Sequence, residues 1–307
     1  MSDHRAVGGE WRQRAAAEIG QVTSLFPRRP NAKVPWDDII KLDLHSVRRA
    51  ARCLRAADPE DEYEESARNA RRRVGLAVLA RMREDGIDPV AAFTSVLDDR
   101  NRLLQERLVG WIDGLGAGGR AALAAEVVTW VAALAAWSPL AQLGHRDADV
   151  LLEGSLDWDV PDRAVKVRAP ADVLAPRGVR PAERRLLVVA ANLAEAELVA
   201  GHVALGYTLS RASAPSQVAV LAPASGAARF TVDDDLLGAA LERLTAAAAS
   251  AVAARMGPQA TATPGWWCQR CALRDECAES AAWRAAHPVR FGGLRADLVR
   301  GGAHDRT

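Results

Sequence analysis

The sequence predicts an α/β protein in which a helical region, a mixed sheet and a cysteine segment follow one another. Apolar residues recur every three or four positions through the first half, and short apolar runs bounded by turn residues begin near residue 148. Three of the four cysteines crowd near the end of the chain. We expect five parts: an N-terminal extension (1–35), a helical region (36–147), an α/β core (148–256), a cysteine segment (257–290) and a flexible tail (291–307).

Composition limits the classes of function. A chain of 307 residues with 49% hydrophobic and 26% charged residues can bury a sizeable core. The net charge of only +1 excludes a uniformly basic surface, so a nucleic-acid footprint has to be local. No run approaches the roughly 18 apolar residues of a membrane span, and no signal-peptide pattern opens the sequence. We therefore expect a cytoplasmic protein that does not contact membranes.

The first half predicts a series of helices. An apolar stripe predicts a helix from Asp37 to about Ala57, with Cys53 near its end. The second helix is expected to stop before Gly86, and a glycine-rich break covers 114–119. The remaining helices are expected at 64–84, 89–98 and 101–112, with a buried alanine-rich helix at 120–137.

The second half predicts a sheet. Two strands, at 150–158 and 164–174, are expected to form a hairpin around the turn Asp159–Asp162, and 185–190 reads as an apolar third strand. A crossover helix and further elements are expected at 194–209, 217–221, 228–232 and 234–256. This order predicts an α/β core with one covered sheet.

The cysteines predict a metal site. Cys268, Cys271 and Cys277 form a C-x2-C-x5-C pattern, and Cys53 lies more than two hundred residues upstream. Thiolates bind soft metals, and in a reducing compartment metal binding is more common than disulfide formation. A zinc ribbon has two C-x2-C pairs, so a single pair with a distant fourth thiol favours an iron–sulfur cluster, with zinc as the alternative.

Residues 40–285 resemble the RecB-like branch of the PD-(D/E)XK nucleases that carry a 4Fe-4S cluster. This branch includes CRISPR-associated Fe-S exonucleases and the nuclease domain of AddB-type helicase–nuclease subunits. In that family one cysteine at the end of an early helix joins a C-terminal C-x2-C-x5-C, an order that Cys53 and the three later cysteines reproduce. The resemblance implies a PD-(D/E)XK mixed-sheet core, an N-terminal helical region, a C-terminal Fe-S cap and a 4Fe-4S cluster on these four thiols.

The catalytic positions that the resemblance assigns are largely lost. Asp172 matches the family's first acid, but the acid and the lysine of the third strand correspond to Ala190 and Asn192. The helical histidine expected after Gly75 corresponds to Leu79. Metal-dependent hydrolysis needs carboxylate ligands and a cation that orients the attacking water. The resemblance therefore implies a degenerate active site, with Asp172 as a vestigial acid.

Other acids are candidates for replacing the lost pair. They lie in or beside the predicted strands and on the following helix: Glu153, Asp157, Asp159, Asp162, Glu183, Glu195 and Glu197. Acids in hairpin turns and on solvent faces are ordinary, and we favour that interpretation for this set. His202 and His145 are likewise interpreted as core or surface residues rather than ligands.

Two further sets bear on binding. Arg48 and Arg52 on the first predicted helix, and Arg71, Arg72 and Arg73 on the second, are candidates for contacting nucleic acid. The alternative is that they are ordinary surface residues of an arginine-rich chain. Two aromatic side chains, Trp266 and Trp267, precede the clustered cysteines; we expect them to shield the cluster from water, and base stacking is the alternative.

These observations predict an iron–sulfur pseudonuclease. It would bind nucleic acid, for which DNA is one candidate, and/or a protein partner such as a helicase or nuclease subunit, in a DNA repair, recombination or defence complex without cleavage. One alternative is a divergent metal-dependent DNA exonuclease that uses displaced acids around Asp172. A second alternative is a regulator that senses redox state through its cluster.

Overall fold

Two mixed sheets and the helices around them form an α/β fold, as the sequence predicts. The structure is a computed structural model that describes residues 4–26, 39–53, 67–104, 106–135, 149–150, 155–170, 173–174, 185–190, 193–222, 226–256, 262–271 and 275–287.

The described helices, numbered in chain order, are α1 His4–Val22, α2 Leu44–Arg52, α3 Ala67–Asp85, α4 Pro89–Asp98, α5 Arg100–Leu103, α6 Glu106–Asp113, α7 Ala117–Ala135, α8 Ala196–Arg211, α9 Asp234–Met256 and α10 Ala278–Ala286. The strands are β1 Ile40–Leu42, β2 Asp149–Val150, β3 Ser155–Asp159, β4 Val165–Pro170, β5 Val173–Leu174, β6 Arg185–Val189, β7 Gln217–Ala222 and β8 Gly226–Thr231. A 3-10 helix covers Trp266–Arg270.

The predicted hairpin and crossover are confirmed. β3 pairs antiparallel with β4 around a turn in which Asp162 adopts φ +57°. β5 is antiparallel to β6, and α8 then carries the chain to β7, which is parallel to β6. β8 completes the sheet antiparallel to β7. This order brings the carboxyl end of β6 beside the hairpin.

The prediction of one sheet is wrong, because each predicted hairpin strand divides between two sheets: the first into β2 and β3, and the second into β4 and β5. β4 joins β1 and β3 in a three-stranded sheet, whereas β5 joins a five-stranded sheet in the order β2-β5-β6-β7-β8. β4 ends at Pro170. Proline has no N–H to donate to a ladder, so strands commonly end or change partner there.

The predicted helix from Asp37 begins too early. Ile40–Leu42 is a strand that pairs parallel with β4, and α2 begins only at Leu44. Asp43 caps α2: its carboxylate accepts the Ser46 N–H at 2.8 Å, and the Ser46 hydroxyl accepts the Asp43 N–H at 2.8 Å. α2 ends at Arg52, before the predicted end at about Ala57, and Cys53 is its cap, so only the expected place of Cys53 near the helix end is confirmed. The helix expected at 101–112 is also divided, into α5 and α6.

Two hydrophobic cores lie on opposite faces of the five-stranded sheet. In β6, Leu186 and Val188 pack on one core, and Leu187 and Val189 pack on the other. The first core includes α8, α9 and α1, although α1 lies in the predicted extension. The second core is formed with α3, α4, α6 and α7. The continuous apolar run of β6 is therefore explained by burial on both faces.

α7 buries one stripe rather than most of its surface. Leu123, Val127 and Val131 are buried, while the alanines between them are largely exposed. α7 packs closely on α3, because a Cβ added at Gly75 would overlap the ring of Trp130. Gly75 thus fixes where the Trp130 indole lies.

α9 meets the length and composition of a membrane span. Its segment Asp234–Arg255 has a mean hydropathy of 1.3, although the sequence analysis expects no such run. Leu237, Leu241 and Leu244 of this helix are buried in the first core, and 44% of the apolar window is buried. The apolar face of α9 therefore packs inside the fold.

Candidate nucleic-acid cleft and cysteine site

A cleft of about 1210 Å³ opens where α2, α3 and α7 face the strands β3, β4 and β6. Val188, Val189 and Ala190 line it at the carboxyl end of β6. Trp130 of α7 also lines it, in the position that Gly75 fixes. The cleft therefore lies between the sheet core and the helical core.

Arginines from separate segments converge on this space, which we name the arginine cleft. Five of them line it, from two helices and one strand: Arg48, Arg52, Arg71, Arg72 and Arg168. Three lining carboxylates, Asp43, Glu126 and Glu195, leave a net charge of +2 with histidine neutral. Four of the five arginines predicted to contact nucleic acid are thus brought together. Arg73, the fifth, is not among the residues that line the cleft.

Ion pairs within the cleft orient three of these arginines. Arg48 Nε lies 2.7 Å from Glu195 Oε2, Arg52 lies 3.6 Å from Glu195 Oε1, and Arg71 Nε lies 2.6 Å from Glu126 Oε2. The paired side chains are 34–50% exposed. Exposed ion pairs contribute only about 0–1 kcal/mol each. An entering phosphate can therefore replace the carboxylates at little cost, and it would meet guanidinium groups already oriented.

The cleft contains the position where the resemblance requires a metal-binding acid. Ala190 lines the cleft directly after β6, and its N–H donates to Leu221 O at 2.8 Å. A methyl group offers no metal ligand. Leu79 is 2% exposed inside the helical core, so it offers none either. Asp172 and Asn192 lie outside the described residues.

Asp157 and Asp159, candidates for displaced catalytic acids, form cross-strand pairs. They lie directly opposite Arg168 and Lys166, respectively. The Asp157 carboxylate accepts two hydrogen bonds from Arg168, at 3.1 and 3.2 Å. Burial alone would raise the pKa of Asp157, but hydrogen bonds from Arg168 and Ser155 outweigh it and hold the pKa below its usual value of 3.8. These carboxylates stabilise the hairpin.

The other candidate acids that the structure describes also have structural roles. Glu195 pairs with Arg48 and Arg52, and Glu197 lies 3.3 Å from Arg243. Asp162 lies in the exposed hairpin turn. Glu153, Glu183 and His145 lie outside the described residues. Among the acids described, ion pairing and turn formation are the roles observed.

His202 is a buried core residue, as the sequence interpretation favours. It lies on α8, is 3% exposed, and donates through Nε2 to Arg168 O at 2.9 Å. This bond ties α8 to β4 beneath the arginine cleft. Burial lowers the pKa of His202 from its ordinary value of 6.5, and the hydrogen bond to the Arg168 carbonyl opposes this shift only in part.

We expect His202 to make the protein less stable in mild acid. Because the pKa of His202 is lower in the folded state, the unfolded chain binds the extra proton first, below about pH 6.5. Stability is therefore complete above that pH and falls by up to about 1.4 kcal/mol per pH unit below it. Urea unfolding of the protein and of His202→Gln between about pH 5 and 7.5 measures this. An equal pH slope in the two proteins would contradict the assignment.

The fold brings Cys53 to the cysteine segment. The Thr263 N–H donates to Cys53 Sγ at 3.3 Å, although 210 residues separate them. The Gly265 N–H donates to Cys268 Sγ at 3.4 Å. Cys53, Cys268 and Cys277 are 5–8% exposed, and all four cysteines are free thiols. The end of α2 thus contacts the segment that precedes Cys268.

The donor set fits a thiolate-bound metal. Backbone N–H groups directed at sulfur stabilise thiolates and tune iron–sulfur clusters. In the described part of the chain, however, no three His, Cys, Asp or Glu side chains are arranged to hold a metal ion. The contacts of Cys53 with Thr263 and of Cys268 with Gly265 bring two of the thiols to one short segment. Metal binding and local folding are coupled in sites of this kind.

The two tryptophans before Cys268 differ in exposure and in their contacts. Trp267 packs over Gly265, where a Cβ would overlap its ring, and its indole N–H donates to Thr263 O at 3.1 Å. Trp266 is 60% exposed, so it is poorly placed to exclude water. The expected shielding role therefore suits Trp267 better than Trp266.

Sequence reasoning missed Arg168 and Trp130 as cleft residues. In β4, buried residues alternate with partly exposed ones, so Lys166 and Arg168 share the outer face. That alternation was the available signal for Arg168. Trp130 gave no comparable signal, because its position depends on the packing of α7 against Gly75.

No protein-family model matches this chain, and comparison with curated proteins gives no match.

Proposed function

We propose that the chain is a RecB-like iron–sulfur pseudonuclease that binds nucleic acid in the arginine cleft without cleaving it. The observation that carries this proposal is the convergence of Arg48, Arg52, Arg71 and Arg72 on one cleft. These residues come from two helices, and phosphates are bound by such local clusters even when net charge is near zero.

The order of elements supports nuclease ancestry. A hairpin, a third strand, a crossover helix and a returning parallel strand follow the order expected of a PD-(D/E)XK core. Ala190 stands in the cleft where that chemistry needs a carboxylate. The cleft carboxylates that are described already hold arginines or cap a helix, which supports binding rather than metal-dependent hydrolysis.

In this proposal Cys53, Cys268, Cys271 and Cys277 hold a 4Fe-4S cluster. The cluster would cross-link the end of α2 to the C-terminal segment, a structural role. Arg52, which precedes Cys53, is thereby held at the end of the arginine cleft. Binding without cleavage suits an accessory subunit in the cytoplasm beside a helicase or nuclease.

The test combines cleavage and binding on the anaerobically purified protein. We expect no cleavage of single- or double-stranded DNA with magnesium or manganese at stoichiometric protein. Binding should weaken with salt, since each phosphate contact contributes a slope of about −0.7 to −0.9 in log affinity against log salt. Four arginines predict a slope of about −3.

Two outcomes would contradict the proposal. Metal-dependent cleavage that disappears in Asp172→Ala would show that other acids have replaced the lost pair, as in a divergent exonuclease. The absence of salt-sensitive binding would remove nucleic acid as the ligand.

A further inference from the structure

Trp266 is an exposed aromatic side chain, and the neighbouring Trp267 is held in place by a hydrogen bond. Among the large apolar side chains that the structure describes, the exposed ones are Leu25, Val90 and Trp266. Trp267 contacts Trp266 edge-on, with ring centroids 5.9 Å apart, and is itself held by Thr263. The indole of Trp266 thus has a supported edge and a broad surface open to solvent.

Arg52 connects Trp266 to the arginine cleft. Its guanidinium lies 5.3 Å from the centroid of the Trp266 ring, within the range of a cation–π contact. The same side chain lines the cleft and lies 3.6 Å from Glu195. Trp266 therefore lies beside an arginine of the cleft, a cation that can hold a phosphate.

We propose that Trp266 is a base-stacking platform and that the arginine cleft binds single-stranded nucleic acid. This inference rests on the proposed function, because it assigns a ligand class to the same cleft. An indole face stacks on any unpaired base, whereas bases inside a duplex are already stacked on one another. A ring beside a row of phosphate-binding arginines matches one exposed strand: phosphates lie along Arg71, Arg72 and Arg52, and a base lies on Trp266.

The variants Trp266→Leu and Trp266→Phe test the inference. Binding is measured with a single-stranded thymidine oligonucleotide of about 15 nucleotides and with a duplex of equal length. We expect Trp266→Leu to weaken single-strand binding about tenfold, within the 1–3 kcal/mol per stacked base. Trp266→Phe should retain most of the affinity. Duplex affinity and the salt slope should stay unchanged, because stacking involves no counterion release.

Iron content and melting temperature of each variant check that the cysteine segment is intact. A second measurement needs no substitution: an oligonucleotide containing 5-bromouracil is cross-linked by light to the unaltered protein, and the modified peptide is mapped by mass spectrometry. A cross-link on the Trp266 peptide supports the inference. Cross-links confined to other aromatic residues overturn it, even where the leucine variant fails to fold.

The remaining outcomes separate this inference from the proposed function. Unchanged single-strand affinity in a folded Trp266→Leu protein overturns the stacking role while leaving binding in the cleft intact. Equal weakening of single-strand and duplex binding also overturns it, because that pattern indicates a displaced Arg52. Absence of salt-sensitive binding by the unaltered protein overturns both.

Discussion

Under the proposed 4Fe-4S assignment, replacing Cys53 with serine is expected to remove the metal as fully as replacing Cys271. The unaltered protein, purified without oxygen, should be brown and carry about four iron atoms per chain. Each variant should lose iron and visible absorbance together. The reason is structural: the Thr263 N–H contact with Cys53 Sγ, at 3.3 Å, brings the end of α2 against the cysteine segment, as a cluster shared by these cysteines would require.

We also expect a large loss of stability in Cys53→Ser. The cluster would join two segments 210 residues apart, so its loss frees both. A fall in melting temperature of about 10 °C or more is expected, since 1 kcal/mol shifts it by about 2–4 °C in domains of 150–250 residues. Ala51→Ser, on the exposed face of the same helix, is the matched control and should change neither iron nor stability. Full iron in Cys53→Ser, or about one zinc per chain, would refute the assignment.

The double variant Arg71→Gln/Arg72→Gln should bind nucleic acid about a hundredfold more weakly at low salt, if each lost phosphate contact costs about tenfold. The salt slope should fall by about 1.4 to 1.8 in magnitude. Both side chains line the arginine cleft from α3. Fluorescence anisotropy with a labelled oligonucleotide over a salt series measures both quantities.

Arg73→Gln is the control for that experiment. Arg73 follows directly on the same helix but is not among the residues that line the cleft. It changes net charge as each single substitution does, so it should leave affinity and salt slope nearly unchanged. Equal effects at Arg71, Arg72 and Arg73 would mean that the helix acts through overall charge, and the arginine cleft would lose its special role.

Local sequence signals identified many secondary-structure elements well. α4 begins and ends where predicted, because Asp88 caps it and Pro89 opens it. α9 also has the predicted bounds, and the apolar run of β6 was identified. Where prediction failed, a distant partner decided: Ile40–Leu42 fits a helical stripe but pairs with β4, more than 120 residues later.

For the candidate site, too, local sequence signals predicted some features, and distant partners decided others. The cysteine spacing predicts one metal site for the four thiols, because thiolates bind soft metals. The spacing did not say which segment Cys53 contacts; the fold places it against Thr263, shortly before Cys268. The roles of Asp157 and Asp159 also needed the structure, because their partners lie on the next strand.

The sequence by itself determined the α/β class, the hairpin and the crossover. These features depend on periodicity, turn residues and side-chain chemistry, which act over a few positions. Tertiary structure alone decided that Arg48 and Arg52 meet Arg71 and Arg72, and that Arg73 does not join them. Helices take their orientation from burying apolar faces against a shared sheet, so the position of a surface charge follows from packing and cannot be read from local pattern.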